Sequence, residues 1–341
     1  MGKSYQGSRS VSLKLTWLGA LFRSHPSKLF VAFFVFLSLP TWGEWTPNKS
    51  IRFIVGNPPG GATDLVARIL QQRLGQELGK SVIVDNRAGA NGLISLEILK
   101  NAEPDGYTVG LGHIGILLVS PTIQKVPFDS IRDFVPIGLM VSMQNIILTH
   151  PDIPVKNLTE YIALARTKPR AMQYATSGIG SPGHLAGALL EMMTGIELTM
   201  VPYKGGGPAI TDLMAGHIPS FFAVISTGVP HVKSGKVRAI AVTSQQRAET
   251  LPEVPTIAES GIKGYSAINW YGLHAPAKTP AAVVAKLNKA LTTTLNTSEV
   301  IEQLKQRGIV STPSSSQAYG QFIVSEQKKW IPLIKQAKIH E

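Results

Sequence analysis

Residues 51–78, IRFIVGNPPGGATDLVARILQQRLGQEL, leave the chain few folds to choose from. Ile51, Phe53, Ile54 and Val55 make a short apolar run rich in β-branched and aromatic residues, the pattern of a buried strand. Gly56-Asn57-Pro58-Pro59-Gly60-Gly61 then forces a turn, because proline fixes φ and glycine reaches positive φ. Val66, Leu70, Leu74 and Leu78 follow as an i+4 row, with Leu65 and Ile69 beside it, so a helix begins near Thr63 or Asp64, either of which can serve as its N-cap. A strand, a glycine turn and a helix N-terminus make a place where free N–H groups and the helix dipole favour an anion. The same pattern also serves as a plain βα unit.

The unit recurs. Strands are expected at 81–84, 107–111, 135–140, 145–149, 172–176, 198–203, 221–225 and 237–243. Helices are expected from Leu93, over 158–167, 184–193, 208–215 and 280–296, and from Ser316. Asn157 and Glu160 have the spacing of a capping box, and Pro332 should kink or end the last helix. This alternation implies a parallel sheet with covering helices. His150-Pro151-Asp152 breaks the pattern and marks a first crossing into a second domain. Residues 268–276, INWYGLHAP, mark the return, with Trp270-Tyr271 as hinge, pocket wall or core.

Residues 29–39 form an apolar run behind a segment carrying Lys3, Arg9, Lys14, Arg23 and Lys28 and no acid, and Thr41-Trp42-Gly43 supplies a small-residue cleavage site. This is the grammar of a signal peptide; a spanning helix would need roughly 20 apolar residues. The mature chain is expected to be 44–341, exported. Without those five bases the net charge of +12 falls to +7, a balance that favours anionic ligands. The bases are dispersed, with no basic run interleaved with aromatics, so no nucleic-acid partner is expected. Having no cysteine, the chain cannot form a disulfide, a thiolate metal site or a cysteine nucleophile.

Gly110, Gly112 and Gly115 match G-x-G-x-x-G after a strand, with Asp129 and Asp133 downstream, but Pro121 leaves little room for the helix a dinucleotide needs. Gly79-Lys80-Ser81 lacks the partner glycine and the strand–helix order of a phosphate loop. Ser181 lacks the first glycine of a nucleophile elbow. The histidines show no metal spacing; His184 reads as a cap or packing residue, while His113 and His274 read as loop residues within reach of a ligand. Tyr203-Lys204 could offer a phenol and an ammonium to an anion. No acid–base pair stands out, so the chain has several anion-friendly turns without a catalytic set.

In order along the chain come IRFIVGNPPGGATD (51–64), VIVDNRAGANG (82–92), PDGYTVGLG (104–112), PFDSIRDFVPIGLM (127–140), TSGIGSPGHLAG (176–187), VPYKGGGPAITDLMAGHI (201–218), LPEVPTIAESG (251–261) and WYGLHAPAKTP (270–280). Together they resemble the Bug family, the solute receptors of tripartite tricarboxylate transporters, in register from about Ile51 to the C-terminus. The resemblance implies an α/β, two-domain periplasmic-binding-protein fold, a flytrap of type II-like form, each domain a mixed sheet covered by helices. Domain 1 would be residues 44–142 and 270–341, and domain 2 residues 143–269.

It further implies a periplasmic, monomeric protein without enzymatic activity, metal or cofactor. It would bind a small organic acid and deliver it to the membrane permease subunits of such a transporter. The family holds one carboxylate through backbone groups of glycine loops and ordered waters. Carried onto this chain, those positions are Pro59, Gly60, Gly61, Ala62, Thr63 and Asp64, then His113, and opposite them Thr176, Ser177, Gly178, Ser181, His184, Pro202, Tyr203 and Gly205. Ala62, Asn57, His113 and Ile114 depart from the family's usual residues. A nucleotide-binding α/β enzyme and a ligand sensor uncoupled from uptake are the alternative readings.

Overall fold

The computed structural model describes residues 45–89, 92–167 and 172–336. The expected signal peptide, its cleavage site and Ala90-Asn91 of the second glycine turn lie outside the described residues. Strand β1 (Ile51–Val55) enters helix α1 (Ala62–Leu78), whose Val66, Leu70, Leu74 and Leu78 are buried as the i+4 row requires. Strand β2 (Val82–Asn86), helix α2 (Leu93–Lys100) and strand β3 (Thr108–His113) complete the first parallel layer, with β1 between β2 and β3. The strand expected at 107–111 runs on to His113, so Gly112 as well as Gly110 lies within β3. A Cβ there would come within 2.7 Å of Leu99 or 2.5 Å of His274, so these glycines make room for neighbours. Gly115 opens a π-helical turn (Gly115–Val119) that runs into helix α3 (Ser120–Ile123).

The two strands expected before His150 are one, β4 (Phe134–Thr149). Its first part pairs with β9 (Ile268–Pro276), the strand that also joins β3, and with β10 (Ile309–Ser311). From Asn145 onward it pairs instead with β7 (Ser220–Val224), and from Ile146 with β8 (Arg238–Val242). One strand is therefore shared by two sheets, and its β9 and β7 partners change between Gln144 and Asn145. The second sheet continues through β5 (Gln173–Thr176) to β6 (Thr199–Pro202), both parallel to their neighbours. The described strands, ten in all, thus form a mixed sheet system in the order β2-β1-β3-β9-β4-β7-β5-β6, with β10 and β8 also on β4.

Helices cover both parts. Helix α4 (Leu158–Thr167) starts with the cap its spacing predicts, Glu160 N–H donating to Asn157 Oδ1 at 2.9 Å, while the Glu160 carboxylate accepts from Asn157 Nδ2 at 2.9 Å and from the Lys156 N–H at 2.7 Å. Helices α5 (Pro182–Thr194), α6 (Gly206–Met214) and α7 (Ile225–Lys233) each follow a strand of the second sheet or its turn. α7 was not expected, because Pro230 and β-branched residues weaken its helical pattern. Helix α8 (Ala281–Leu295) buries Val284, Leu287, Leu291 and Leu295, and a short α9 (Ser298–Lys305) precedes β10. Helix α10 (Ser316–Gln336) runs through Pro332 and does not end there. Leu333 and Ile334 are buried in its last turns, so packing outweighs the lost hydrogen bond.

Helix α10 lies over β9. Trp270 packs edge-on to Tyr319 and Phe322, at 5.9 and 5.4 Å between ring centroids, and donates its Nε1–H to Glu326 Oε2 at 2.9 Å. The approach needs a glycine in the strand: a Cβ at Gly272 would sit 2.0 Å from the Tyr319 ring. Gly272→Ala is expected to cost at least about 1–3 kcal/mol, the usual toll of overpacking, read as a fall in the urea midpoint with an unchanged slope.

Candidate functional site

Four helix N-termini face one cleft of about 520 Å³. Gly61, Ala62 and Thr63 bring the start of α1; Ser181 and Pro182 that of α5; Gly205, Gly206 and Gly207 that of α6; Ser226 and Thr227 that of α7. α1, α6 and α7 have no side-chain cap. Their first-turn N–H groups are therefore open to a ligand, with the positive dipole ends behind them. No aspartate or glutamate is among the described residues that wall the cleft, and Lys204 is its one lysine or arginine. Such a space stabilises an anion through amides and dipoles.

The first loop is braced from behind. The expected N-cap of α1 is neither Thr63 nor Asp64 but Gly61, in extended conformation. Asp64 turns away from the cleft, accepts from Gly60 N–H at 2.9 Å and pairs with Arg68 and Asn86. Burial pushes its carboxyl up, yet the hydrogen bonds from Arg68, Gly60 and Asn86 hold it below the usual range. Asn86 Nδ2 also donates to the Asn57 carbonyl at 2.9 Å, and Thr63 Oγ1 donates to Asn57 Oδ1 at 3.0 Å. Gly60, at φ +84°, lets the loop bend back onto this support.

The structure brings together Pro59, Gly60, Gly61, Ala62, Thr63, His113, Ser177, Ser181 and Gly205 on the cleft wall. Asp64, Thr176, Gly178, His184, Pro202 and Tyr203 lie outside that wall. Thr176 is buried and ties its own loop, its hydroxyl donating to the Gly178 carbonyl at 3.1 Å. Tyr203 donates its hydroxyl to Asp212 at 2.8 Å. His184 accepts from Gly180 N–H at Nδ1, at 3.1 Å, while its own N–H donates to Ser181 Oγ, the cap of α5, at 3.4 Å.

His113 is a buried strand residue at the cleft floor, where a loop residue was expected. Its Nδ1 accepts from Gly115 N–H at 3.1 Å and its ring lies 5.9 Å from that of Tyr271. Burial pulls its pKa from 6.5 to about 4, so near neutral pH the ring is uncharged and carries its proton on Nε2. His274, also expected in a loop, is buried in β9 away from the cleft, beside Phe134 and Tyr319. Reading the sequence missed Ser226, Thr227, His231 and Asn269 on the wall. The first three belong to the unexpected α7, and Asn269 is hidden in an apolar run.

Solved structures that resemble this one include periplasmic binding proteins. Rpa4515 of R. palustris, with adipate, superposes at TM-score 0.82 with 31% identity, covering 86% of this chain and 99% of that one. The periplasmic binding protein BugD gives 0.79 and 34%, with the same coverage. MatC from Rhodopseudomonas palustris, with bound malate, gives 0.79 and 29% over 84% of this chain and 99% of that one. The architecture is thus the two-domain periplasmic-binding-protein fold.

Among curated relatives, a protein of the tcbD-tcbE intergenic region of a Pseudomonas species is 35% identical over 86% of this chain and 88% of its own length. BugT of Bordetella pertussis is 30% identical over 88% and 93%. Residues 66–339 match the tripartite tricarboxylate transporter family receptor, and the chain belongs to that family, the Bug proteins.

Three histidines, His113, His184 and His274, are held uncharged by burial, each at about 4. At His274 the nearby Gly272 backbone offsets this only in part, and neither ring nitrogen makes a hydrogen bond of normal geometry. A histidine pKa lower in the folded than in the unfolded chain means the unfolded chain binds more protons between the two values. Stability is then full above about pH 6.5 and falls as pH drops toward 4. Melting curves from pH 7.5 to 4.5 are expected to show that fall. His274→Leu should make it shallower without lowering Tm at pH 7.5.

Proposed function

We propose that the chain is an exported, periplasmic receptor that captures a small organic carboxylate between its two domains and hands it to the permease subunits of a tripartite tricarboxylate-type transporter. The observation that carries this reading is the cleft itself, with four helix N-termini, glycine-rich walls, one lysine and no acid among its described residues. The adipate and malate in two similar structures support the same ligand class. A carboxylate held by amides and water binds with moderate strength and is released more readily than one locked in a desolvated ion pair, which suits a carrier. The cleft has room for the ligand together with bridging waters, at roughly 30 Å³ for each water.

The domain division at residues 142/143 and 269/270 belongs to the same proposal. It falls within two residues of the place where β4 exchanges β9 for β7. Closure about β4 and β9 would let ligand shift an open–closed equilibrium. Among the described residues of the wall, no serine or threonine is hydrogen-bonded to the ring of His113 or His231, so the wall gives no support to a nucleophile–base pair.

The test is a thermal-shift screen of the purified protein against di- and tricarboxylates, aromatic acids, amino acids, sugars and NAD. A ligand at 100 times its Kd should add about 2.7 kcal/mol, several degrees for a chain of this size. A shift with one carboxylate class is expected; a shift with NAD alone would overturn the proposal. Gly61→Val should then abolish the shift with little change in the unliganded Tm. Gly61 is not at positive φ and the nearest atom to an added Cβ is the Pro58 carbonyl at 3.4 Å, an ordinary contact, while the residue itself lines the cleft.

A further inference from the structure

The hinge strands have a second face. Gln144 pairs with Ile268, and Ser142 pairs with Trp270 and Val310, so these side chains share one face of β4, β9 and β10. Asn269 and Tyr271 alternate to the other face and line the cleft. Behind the cleft, over Ser142, Gln144, Ile268 and Val310, lies a groove of about 670 Å³. Both proposed domains wall it. α8, α9 and β10, with the turn before β10, bring Leu295, Lys305 and Gly308 to one side, and residues 244–250 form the other.

That segment leaves β8 through Thr243, whose backbone is bonded to Asn145 and Ala267, and then crosses the groove. The Ser244 hydroxyl donates to Gln144 Oε1, and the Glu249 carboxylate meets Lys305 Nζ at 2.8 Å. Gly308 and Thr250 bring the two walls together: a Cβ added at Gly308 would sit 3.1 Å from Thr250 Oγ1 and 3.1 Å from the Ile225 side chain. Thr250 Oγ1 is buried and makes no hydrogen bond, so this side chain meets the opposite wall through its shape. The Lys305–Glu249 pair is 57% and 74% exposed, and an ion pair so open to water is worth little. The coupling across the groove is therefore mainly steric.

We propose that this groove is the counterpart of the cleft, and that the size of the side chain at position 250 sets how tightly the protein holds its ligand. The inference rests on the closure about β4 and β9 proposed above and deepens it. Cleft and groove lie on opposite faces of the same strands, and each has a wall on either domain. A rotation about those strands that narrows the cleft must widen the groove. A larger side chain at position 250 presses on Gly308 and favours the wider groove, hence the closed cleft. Overpacking a rigid core is destabilising; here the two walls belong to bodies joined by a hinge, and rotation relieves the pressure. A wedge that resists narrowing of the groove acts in this sense whether the resting cleft is open or partly closed. Ligand that binds the closed form then finds more of it present, and its apparent Kd falls by the gain in that fraction.

The experiment is a size series, Thr250→Ala, Thr250→Leu and Thr250→Phe, with Asn296→Trp, at an exposed position on the α8 side of the groove, as a second wedge. Malate and adipate are titrated calorimetrically into each protein, and the unliganded proteins are compared by small-angle X-ray scattering. Affinity for whichever acid the wild type binds should rise with side-chain size, by threefold or more at Thr250→Phe, through slower dissociation. The unliganded radius of gyration should fall in the same order, and Thr250→Ala should bind no more tightly than the wild type. Equal or weaker binding across the series, with Tm near that of the wild type, would overturn the inference and leave the carboxylate reading in place. If Thr250→Phe does not fold, Asn296→Trp carries the same expectation and the same refutation. Binding of neither acid by the wild type would count against the carboxylate reading instead. Scattering then decides the inference, and a radius of gyration that does not fall with side-chain size overturns it.

Discussion

The structure depends on the meeting of four helix N-termini at one cleft. Each terminus leaves backbone N–H groups unsatisfied, and at α1, α6 and α7 no side chain closes them. A single terminus is worth about 0.3–1 kcal/mol to a nearby anion. Several around one space, with no acid on the wall, make a field that any bound group must answer with negative charge. The prolines and glycines of the loops follow from this. Gly60 and Gly205 lie at φ +84° and +107°, where glycine is favoured, and Asp64, Asn86 and Arg68 keep the first loop rigid from behind. The carboxylate of the first turn of α1, Asp64, is therefore spent on the loop and not on the cleft.

The second constraint is mechanical. β4 is long enough to serve two sheets, and β9 lies along its first part. Trp270, Gly272 and His274 fix β9 beneath α10, while Asn269 and Tyr271 look into the cleft. Ligand contacts on β9 thus act on the strand next to the proposed hinge, a short path from recognition to closure.

Much of this was legible in the sequence because period and punctuation agree. The i+4 row of α1, the apolar face of α8 and the Asn157–Glu160 box each fix an element through nearby residues alone. Where distant residues decide, the sequence misleads. Asp64 looks like a cap, but Asn86 on the next strand and Arg68 claim it. Gly112 looks like the start of a loop, but β3 runs on to His113 and the His274 ring fills the space a side chain there would take. β4 looks like two strands because Ser142, Gln144 and Asn145 interrupt the apolar pattern at the place where pairing partners change. Thr176, His184 and Tyr203 belong to the turns next to the cleft, yet each spends its polar atoms on holding a turn or helix in place. Motif order carries the family and most of the loops; which side chain of a loop faces inward is set by tertiary contacts that no local pattern encodes.

In the reading proposed above, the cleft recognises charge through backbone amides and dipoles. The most direct measurement is the affinity of the best-binding dicarboxylate beside its neutral diamide of the same length, by titration calorimetry at two salt concentrations. The account predicts tight binding of the acid, loss of at least a hundredfold for the diamide, and only a modest effect of salt on the acid, because the charge is bound inside the cleft and is weakly screened. Equal binding of acid and diamide would contradict it and leave the helix termini without a role in recognition.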